Sequence, residues 1–209
     1  MTATDNDSGV EPRMSKSAAT RARIVAAAGK VLAESGYQHT RLTAIATAAG
    51  MQTGSLYYYF DSKEQLVEEV LDGGARLAHE RVRAAATAVP DASAGARLSA
   101  ALRAFIAVRL EIGAVSTAHI RNYRELPEDM RERLRPELEA FSRLWDELVL
   151  AAVESGEIRA DVDPRTLHLF AVHTSEQIAT WPSSARSTTD TVDVMFRLML
   201  TGLVGPGGD

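Results

Sequence analysis

Apolar residues recur at intervals of three and four along most of this 209-residue chain. That spacing places them on one face of an α-helix. A first stripe predicts a helix over residues 17–35 that Gly36 ends, and a longer stripe predicts a helix over residues 62–87. Later stripes predict five more helices, over about residues 92–111, 113–124, 127–155, 163–181 and 188–202. With two short helices between residues 41 and 60, the pattern predicts an all-α fold of about nine helices.

The two short helices lie on either side of Gly50. Four apolar residues at i, i+3, i+4 and i+7 form the stripe of the first: Leu42, Ile45, Ala46 and Ala49. Gly50 follows, where a helix can end in a left-handed conformation. Leu56 and Phe60, four residues apart, form the stripe of the second helix. The sequence therefore predicts two helices joined by a tight turn, with their apolar residues facing a shared core.

The second short helix has a polar and aromatic side opposite its apolar stripe. Two neighbouring stripes make up that side: Gln52, Ser55 and Tyr59, and beside them Thr53 and Tyr57. Hydrogen-bonding side chains that project together from one short helix are typical of a helix lying in the major groove of DNA. Gly54, in the first turn, would let the backbone approach another surface closely. The free N–H groups of a helix N-terminus also attract phosphate.

An alternative interpretation is that the three consecutive tyrosines, Tyr57, Tyr58 and Tyr59, only pack in the core. Adjacent residues on a helix point in different directions, so at least one of the three must face outward.

The segment GSLYYYFDSKEQL, residues 54–66, resembles the signature around the recognition helix of TetR-family transcriptional regulators. The resemblance covers about residues 20–71 and implies a DNA-binding helix-turn-helix. The family more often has His where Tyr59 stands, and a tyrosine hydroxyl can still contact a phosphate without carrying charge. In the family, the positions that match Thr40, Arg41 and Thr43 touch phosphates and occasionally a base. The alternative for Thr40 is a helix cap.

Charge is distributed unevenly along the chain. The net charge is −5, yet residues 12–63 hold seven Lys/Arg against two Asp/Glu, a net charge of +5. A basic segment on an acidic body is expected where one end of a protein meets DNA phosphates. Lys63, just past the second short helix, can reach the backbone of a duplex. Arg21 and Arg23 can either contact phosphates or remain solvated, and the sequence does not choose.

Three features bear on how the body is built. The Gly73–Gly74 pair allows either bending or close helix packing in the helix over residues 62–87. Pro136 lacks an N–H group and predicts a bend or break in the helix over residues 127–155. The last helix is apolar on two sides, so it must be covered twice. We therefore expect the final two helices to pair with their copies in a homodimer, whose two heads would meet major grooves about 34–36 Å apart on a palindromic operator.

Polar residues on the apolar faces of the body indicate a ligand cavity. Arg109 shares a face with Phe105, and His119 lies one turn before Tyr123. An arginine facing a cavity can bind a carboxylate or phosphate. The alternatives are that Arg109 reaches the surface or pairs with an acid, and that His119 is a hydrogen-bonded core residue. The residues predicted to line the cavity, or else to fill the core, are Phe105, Arg109, His119, Tyr123, Trp145 and Phe170.

The second half of the chain resembles TetR-type repressors of fatty-acid and steroid breakdown, which respond to acyl-CoA thioesters. The similarity covers about residues 119–203 and is carried by RNYRELPEDMRERLRPELEAF, SGEIRADVDP and TWPSS. It implies a repressor that an acyl-CoA or other lipid-like effector releases from its operator, by tilting the helix that joins head and body. The alternatives are a xenobiotic-sensing repressor of an efflux gene and a helical ligand-binding protein without a specific operator.

The remaining expectations concern what the chain is not. It shows no nucleophile motif and no phosphate-binding glycine loop, and of His168, His173 and Glu176 only the last two share a helix face. We therefore predict no enzyme activity, metal or cofactor. An acidic N-terminus, no cysteine and no apolar run near 18 residues favour a cytoplasmic chain outside the membrane. Its predicted parts are a disordered arm (1–16), a helix-turn-helix domain (17–63) and a ligand-binding and dimerisation domain (64–209).

Overall fold

The computed structural model describes residues 15–88, 92–112, 122–161, 163–179 and 194. All regular elements of four or more residues in these ranges are helices, which confirms the predicted all-α class. In chain order the α-helices are α1 (Lys16–His39), α2 (Leu42–Ala48), α3 (Thr53–Leu56), α4 (Lys63–Thr87), α5 (Ala94–Ile112), α6 (Glu128–Glu154) and α7 (Pro164–Ala179). A shorter 3₁₀ turn (Tyr123–Glu125) lies between α5 and α6. Most of the predicted arm, most of the helix over 113–124 and the helix over 188–202 lie outside the described residues.

The helices bury two separate hydrophobic cores. The first, in the head, joins α1, α2 and α3 to the start of α4 and the start of α6; its members include Ile24, Leu32, Tyr37, Ile45, Leu56, Phe60, Leu66, Leu71, Met130 and Leu134. The second, in the body, joins the far half of α4 to α5, α6 and α7. The head core therefore extends past residue 63, where the sequence placed the domain boundary.

An aromatic group lies at the centre of the body core. The rings of Phe105 and Trp145 meet edge to face, with centroids 5.5 Å apart, and Phe141 contacts both. Aromatic pairs prefer this arrangement because the positive edge of one ring meets the negative face of the other. The apolar spacing of α5 and α6 places these rings on the buried faces of the two helices.

Gly36 interrupts the first helix, as predicted: it takes a φ of 75°, and one short helical turn to His39 follows the break. The helix α6 was predicted to bend or break at Pro136; it does not break there and runs as one element of 27 residues. Pro136 is exposed, and residues on either side of it, Leu134 and Phe141, are anchored in the two cores. One missing N–H group is therefore tolerated without a break.

The start of α4 is capped by two side chains. The Ser62 hydroxyl accepts the N–H of Gln65 at 3.1 Å, and the Gln65 side chain accepts the N–H of Asp61 at 2.8 Å. Reciprocal bonds of this kind satisfy N–H groups that have no partner within the helix. They also fix the direction in which α4 leaves the head.

The body touches the head again just before the 3₁₀ turn. Asn122 is buried, and its side-chain oxygen accepts the N–H of Tyr37 at 2.6 Å. Close by, the Gln38 side chain donates to the carbonyl of Glu125 at 3.3 Å. These bonds supply partners for the chain around the break at Gly36.

The start of α5 is capped by a carboxylate from the loop after α6. Glu157 accepts the hydroxyl of Ser93 at 2.6 Å and the N–H of Gly95 at 3.1 Å. It also accepts the hydroxyl of Ser155 at 2.9 Å. The Ser93 hydroxyl, followed by the Gly95 N–H, lowers the pKa of Glu157 below its ordinary value of 4.5. A charged carboxylate is favoured at the N-terminus of a helix.

Candidate nucleic-acid interface

The turn between α2 and α3 has the predicted geometry. Gly50 takes a φ of 65°, in the left-handed region that favours glycine. Its N–H donates to the carbonyl of Thr47 at 3.1 Å, and the next N–H, of Met51, donates to Ala46 at 2.9 Å. These bonds close the end of α2 and turn the chain sharply into α3.

The helix α3 is anchored by its apolar residues and presents the rest outward. Leu56 and Phe60 are fully buried in the head core. We call the opposite side the recognition surface; it consists of Gln52, Thr53, Gly54, Ser55, Tyr57 and Tyr58. Gln52 and Gly54 are exposed, and Thr53 and Ser55 are half-buried. Hydrogen-bonding groups therefore project from a helix whose other side is fixed.

The three tyrosines do not all pack in the core, so the alternative that they only pack is wrong. Tyr57 is 53% exposed and Tyr58 is 89% exposed, whereas Tyr59 is half-buried against the head core. Sequence reasoning missed Tyr58 because it assumed one regular helix through Phe60. The α-helix ends at Leu56 and a turn follows, so helical spacing no longer sets the direction of these side chains.

Gly54 is not required by the packing of the head. Its φ is not in the left-handed region, and a Cβ added to it would meet no atom within 4 Å. Neither backbone strain nor an internal contact therefore accounts for a glycine at this exposed position. The predicted close approach of this backbone to another surface is compatible with the open space at Gly54 and stays a prediction.

The residues around the start of α2 divide into exposed and buried ones. Arg41 and Thr43 are exposed and can reach a duplex. Thr40 is 2% exposed, and its hydroxyl donates to the carbonyl of Gly36 at 2.7 Å. The Thr40 hydroxyl therefore closes the end of α1, and a phosphate contact by this residue stays a prediction.

Lys63 is tied to the end of α1. Its ammonium donates to the carbonyl of Tyr37 at 3.0 Å and lies 4.2 Å from the centroid of the Tyr37 ring. An ammonium has three N–H groups, so two remain for a phosphate. Burial, and then the neighbouring Glu64 carboxylate, raise the pKa of Tyr37 above 10.0, so the phenol stays neutral. The backbone contact by Lys63 stays a prediction.

The predicted ligand residues separate into three groups. Phe105 and Trp145 lie together in the body core, and the buried Arg109 guanidinium lies 5.7 Å from the Phe105 ring. Tyr123, in contrast, packs against the head core, and Phe170 is 54% exposed on α7. Tyr123 and Phe170 therefore do not join the aromatic group. Helical spacing predicts the face of a helix on which a residue lies, but not which other helix packs against that face. His119 lies outside the described residues.

A groove that sequence reasoning missed opens beside the aromatic group. It has a volume of about 460 Å³ and lies between α4, the start of α5 and α6. Three arginines from these three helices line it: Arg83, Arg97 and Arg143. Its floor is apolar and includes Ala86 and Leu148, which also belong to the body core. We call it the arginine groove; only the packing of helices brings its three cations together.

The described ranges contain no group of three or more His, Cys, Asp or Glu side chains arranged to hold a metal ion. None of the helices described is both long enough and apolar enough to cross a membrane.

Two short helices joined by a tight turn, with an exposed recognition surface on the second and a larger helical body behind them, are typical of a helix-turn-helix regulator of transcription. The family model for bacterial regulatory proteins of the tetR family matches residues 24–70, and the model for the tetracyclin repressor-like C-terminal domain matches residues 91–203. The chain belongs to the TetR family of bacterial regulators. That family consists of transcriptional regulators rather than enzymes.

Individual relatives agree with this assignment. The chain is 30% identical to the HTH-type transcriptional repressor KstR2 of Rhodococcus jostii over 193 residues, which cover 89% of this chain and 92% of that protein. The solved structure of the ketosteroid regulator KstR2 of Mycobacterium tuberculosis has a TM-score of 0.71 at 22% identity, covering 88% of this chain and 95% of that one. FadR of Bacillus subtilis, solved in complex with stearoyl-CoA, has a TM-score of 0.62 at 21% identity, covering 87% and 98%.

Proposed function

We propose that this chain is a homodimeric repressor that binds a palindromic operator and releases it when an acyl-CoA-type effector enters the body. The recognition surface carries the proposal. Its Gln52, Tyr57 and Tyr58 side chains are exposed at the two ends of α3, a segment that the buried Leu56 and Phe60 hold in place. Such a surface suits contact with base edges and phosphates in a major groove.

Exposed apolar side chains support the dimer. Leu169 and Phe170 on α7, Leu150 on α6 and Val194 are each about half exposed. Large apolar side chains left open to water favour association with a further surface. A second copy of the chain would cover them and set two heads about 34–36 Å apart.

The operator half of the proposal is tested by selection. The purified chain would be used to select tight binders from a pool of duplexes of about 30 base pairs with a randomised centre, long enough for two half-sites. We expect a palindromic consensus, called the selected duplex, bound more tightly than a scrambled duplex of the same composition. Equal affinity for both at every salt concentration would overturn the proposal and favour a helical ligand-binding protein without an operator.

The arginine groove and the neighbouring aromatic group support the effector class. An acyl-CoA combines phosphates with an apolar chain, and FadR, a relative, was solved with stearoyl-CoA bound. Guanidinium groups bind phosphate oxygens through paired N–H donors. The cations of Arg83, Arg97 and Arg143 outnumber the one carboxylate in the lining, Glu147, and lie beside apolar side chains, which suits such a ligand. Since α4 has one end in each core, a ligand that changes the tilt of α4 would move the head.

The proposed effector class is tested by measuring release of the labelled selected duplex with fluorescence anisotropy. We expect stearoyl-CoA to release it at lower concentration than CoA or stearate alone. Arg97→Gln should raise the concentration of stearoyl-CoA needed, whereas Arg103→Gln, also exposed on α5 but outside the groove, should not. Release by the lipophilic cation tetraphenylphosphonium and by no CoA compound would favour the xenobiotic-sensing alternative. If none of these compounds acts, the acyl-CoA effector is wrong.

A further inference from the structure

We infer that Arg21 is a positioning residue for DNA reading, which Glu69 holds in place; the inference rests on the proposed operator binding. The sequence left open whether Arg21 touches phosphate or stays solvated. Its guanidinium instead lies within the head, between α1, α4 and the turn that follows α3. Tyr59, which this guanidinium contacts, directly follows the exposed Tyr57 and Tyr58.

Four contacts define the position of Arg21. One terminal nitrogen donates to the carbonyl of Tyr59 at 2.7 Å. The Nε atom donates to one oxygen of Glu69 at 3.0 Å, and the other terminal nitrogen donates to the second oxygen. The guanidinium carbon lies 4.2 Å from the centroid of the Phe60 ring. The Arg21 guanidinium therefore links α1 to α4 and to the turn after α3, through its N–H groups and through the face that lies over the Phe60 ring.

The Tyr59 carbonyl needs this donor because the helix α3 is so short. The α-helix ends at Leu56, and the N–H groups of Tyr59 and Phe60 both donate back to the Leu56 carbonyl. No further helical turn follows to supply an N–H for the Tyr59 carbonyl, because the chain turns into α4 at Ser62. Arg21 supplies the donor and thereby fixes the end of the recognition surface.

The pair contributes more to geometry than to stability. The Arg21 and Glu69 side chains are 39% and 36% exposed. Ion pairs at such exposure contribute little to the stability of a fold, because water screens the two charges. A weak contribution to folding is compatible with a strong effect on reading, because hydrogen bonds to base edges tolerate little displacement of the helix.

Positioning and simple electrostatics predict opposite effects of Glu69→Gln. The change removes a negative charge from the DNA-binding head, so electrostatics alone predicts tighter binding to every duplex. If Glu69 holds Arg21, the same change frees the guanidinium from the Tyr59 carbonyl. Binding to the selected duplex should then weaken relative to the scrambled one.

Glu68→Gln is a matched control. Glu68 is the adjacent residue on α4, is comparably buried, and also pairs with an arginine, accepting the Nε–H of Arg133 at 2.9 Å. Arg133 lies on α6, away from the turn after α3. Removing this charge should change the affinity for both duplexes alike and leave their ratio as in the wild type.

The experiment measures the dissociation constants of the full chain for the selected and the scrambled duplex across a salt series. We expect Glu69→Gln to reduce the ratio of the two affinities roughly tenfold, comparable with the effect of one mismatched base pair. Affinity for the scrambled duplex should stay equal or rise. Arg21→Lys keeps the charge but cannot bridge Glu69 and Tyr59 together, so it should lose discrimination with an unchanged salt slope.

Three outcomes would count against the inference. Tighter binding of Glu69→Gln to both duplexes would mean that the carboxylate acts only by its charge. Normal discrimination in Arg21→Lys, with a shallower salt slope in Arg21→Gln, would make Arg21 a phosphate contact. A wild-type chain with no preference for any duplex would overturn the proposed function itself, and this inference with it. Because Arg21→Lys tests the same contact, the inference remains testable if Glu69→Gln fails to fold.

Discussion

Replacing Gly54 with alanine distinguishes an effect on the stability of the head from an effect on DNA affinity. Gly54 is exposed, has no left-handed φ, and leaves open space where a Cβ would stand. Alanine at a compatible helical position stabilises a protein by about 0.4–1 kcal/mol, mainly by restricting the unfolded chain. The free energy of unfolding of Gly54→Ala should therefore rise slightly or stay level.

Binding to the selected duplex should nevertheless weaken. If the backbone at Gly54 lies against the DNA, one added methyl group must displace the helix. Inserting a methyl-sized group into a close-packed contact costs roughly 1–3 kcal/mol. That range corresponds to about 5- to 150-fold in the dissociation constant for each head, and both heads of a dimer carry the change.

Two measurements on the same preparations check this prediction: urea unfolding for stability and anisotropy of the labelled selected duplex for affinity. Gly73→Ala is the matched control, because Gly73 is exposed on α4, also lacks a left-handed φ and also has open space at the Cβ position. It should share the stability gain and keep the wild-type affinity. Wild-type affinity in Gly54→Ala would refute the reasoning that this glycine serves a close approach to DNA.

Two further predictions concern stability. Glu157→Gln should have a lower melting temperature than the wild type at pH 7. The pKa of Glu157 is lowered in the folded state, so its carboxylate stabilises the fold fully above the unfolded pKa, near 4.5. The difference in melting temperature should therefore shrink as the pH falls through the lowered, folded-state pKa. A constant difference from pH 7 to pH 3 would contradict this. Asn122→Ala leaves the buried N–H of Tyr37 without its partner and should cost about 1–3 kcal/mol in urea unfolding, whereas Gln38→Ala, which removes a neighbouring exposed bond, should cost less than about 0.5 kcal/mol. Equal midpoints for these two variants would argue against the Asn122 contact.

Apolar spacing predicted the elements well because each helix buries one continuous stripe. The long helix was predicted over residues 62–87 and is observed over Lys63–Thr87, since Ser62 and Gln65 provide a local cap. The left-handed Gly50 was also predictable, because the turn needs a residue without a side chain. These features depend on residues within a few positions of one another.

Features that depend on distant residues were not predictable in the same way. Arg21 meets Glu69 across 48 positions, and the arginine groove takes its cations from three helices. Thr40 illustrates the same limit: a threonine between two helices can serve either, and only the observed distance to Gly36 decides. Residue type and spacing give the chemistry of a side chain, whereas its partner depends on how the helices cross.

The unbroken helix α6 has a consequence for how the whole protein melts. Its 27 residues span about 40 Å at 1.5 Å per residue, with Met130 and Leu134 in one core and Trp145 and Val149 in the other. Because one continuous helix packs into both cores, unfolding of either core removes packing contacts that hold α6 in the other. Heating the chain should therefore give a single calorimetric peak, because unfolding of the body would also unfold the head.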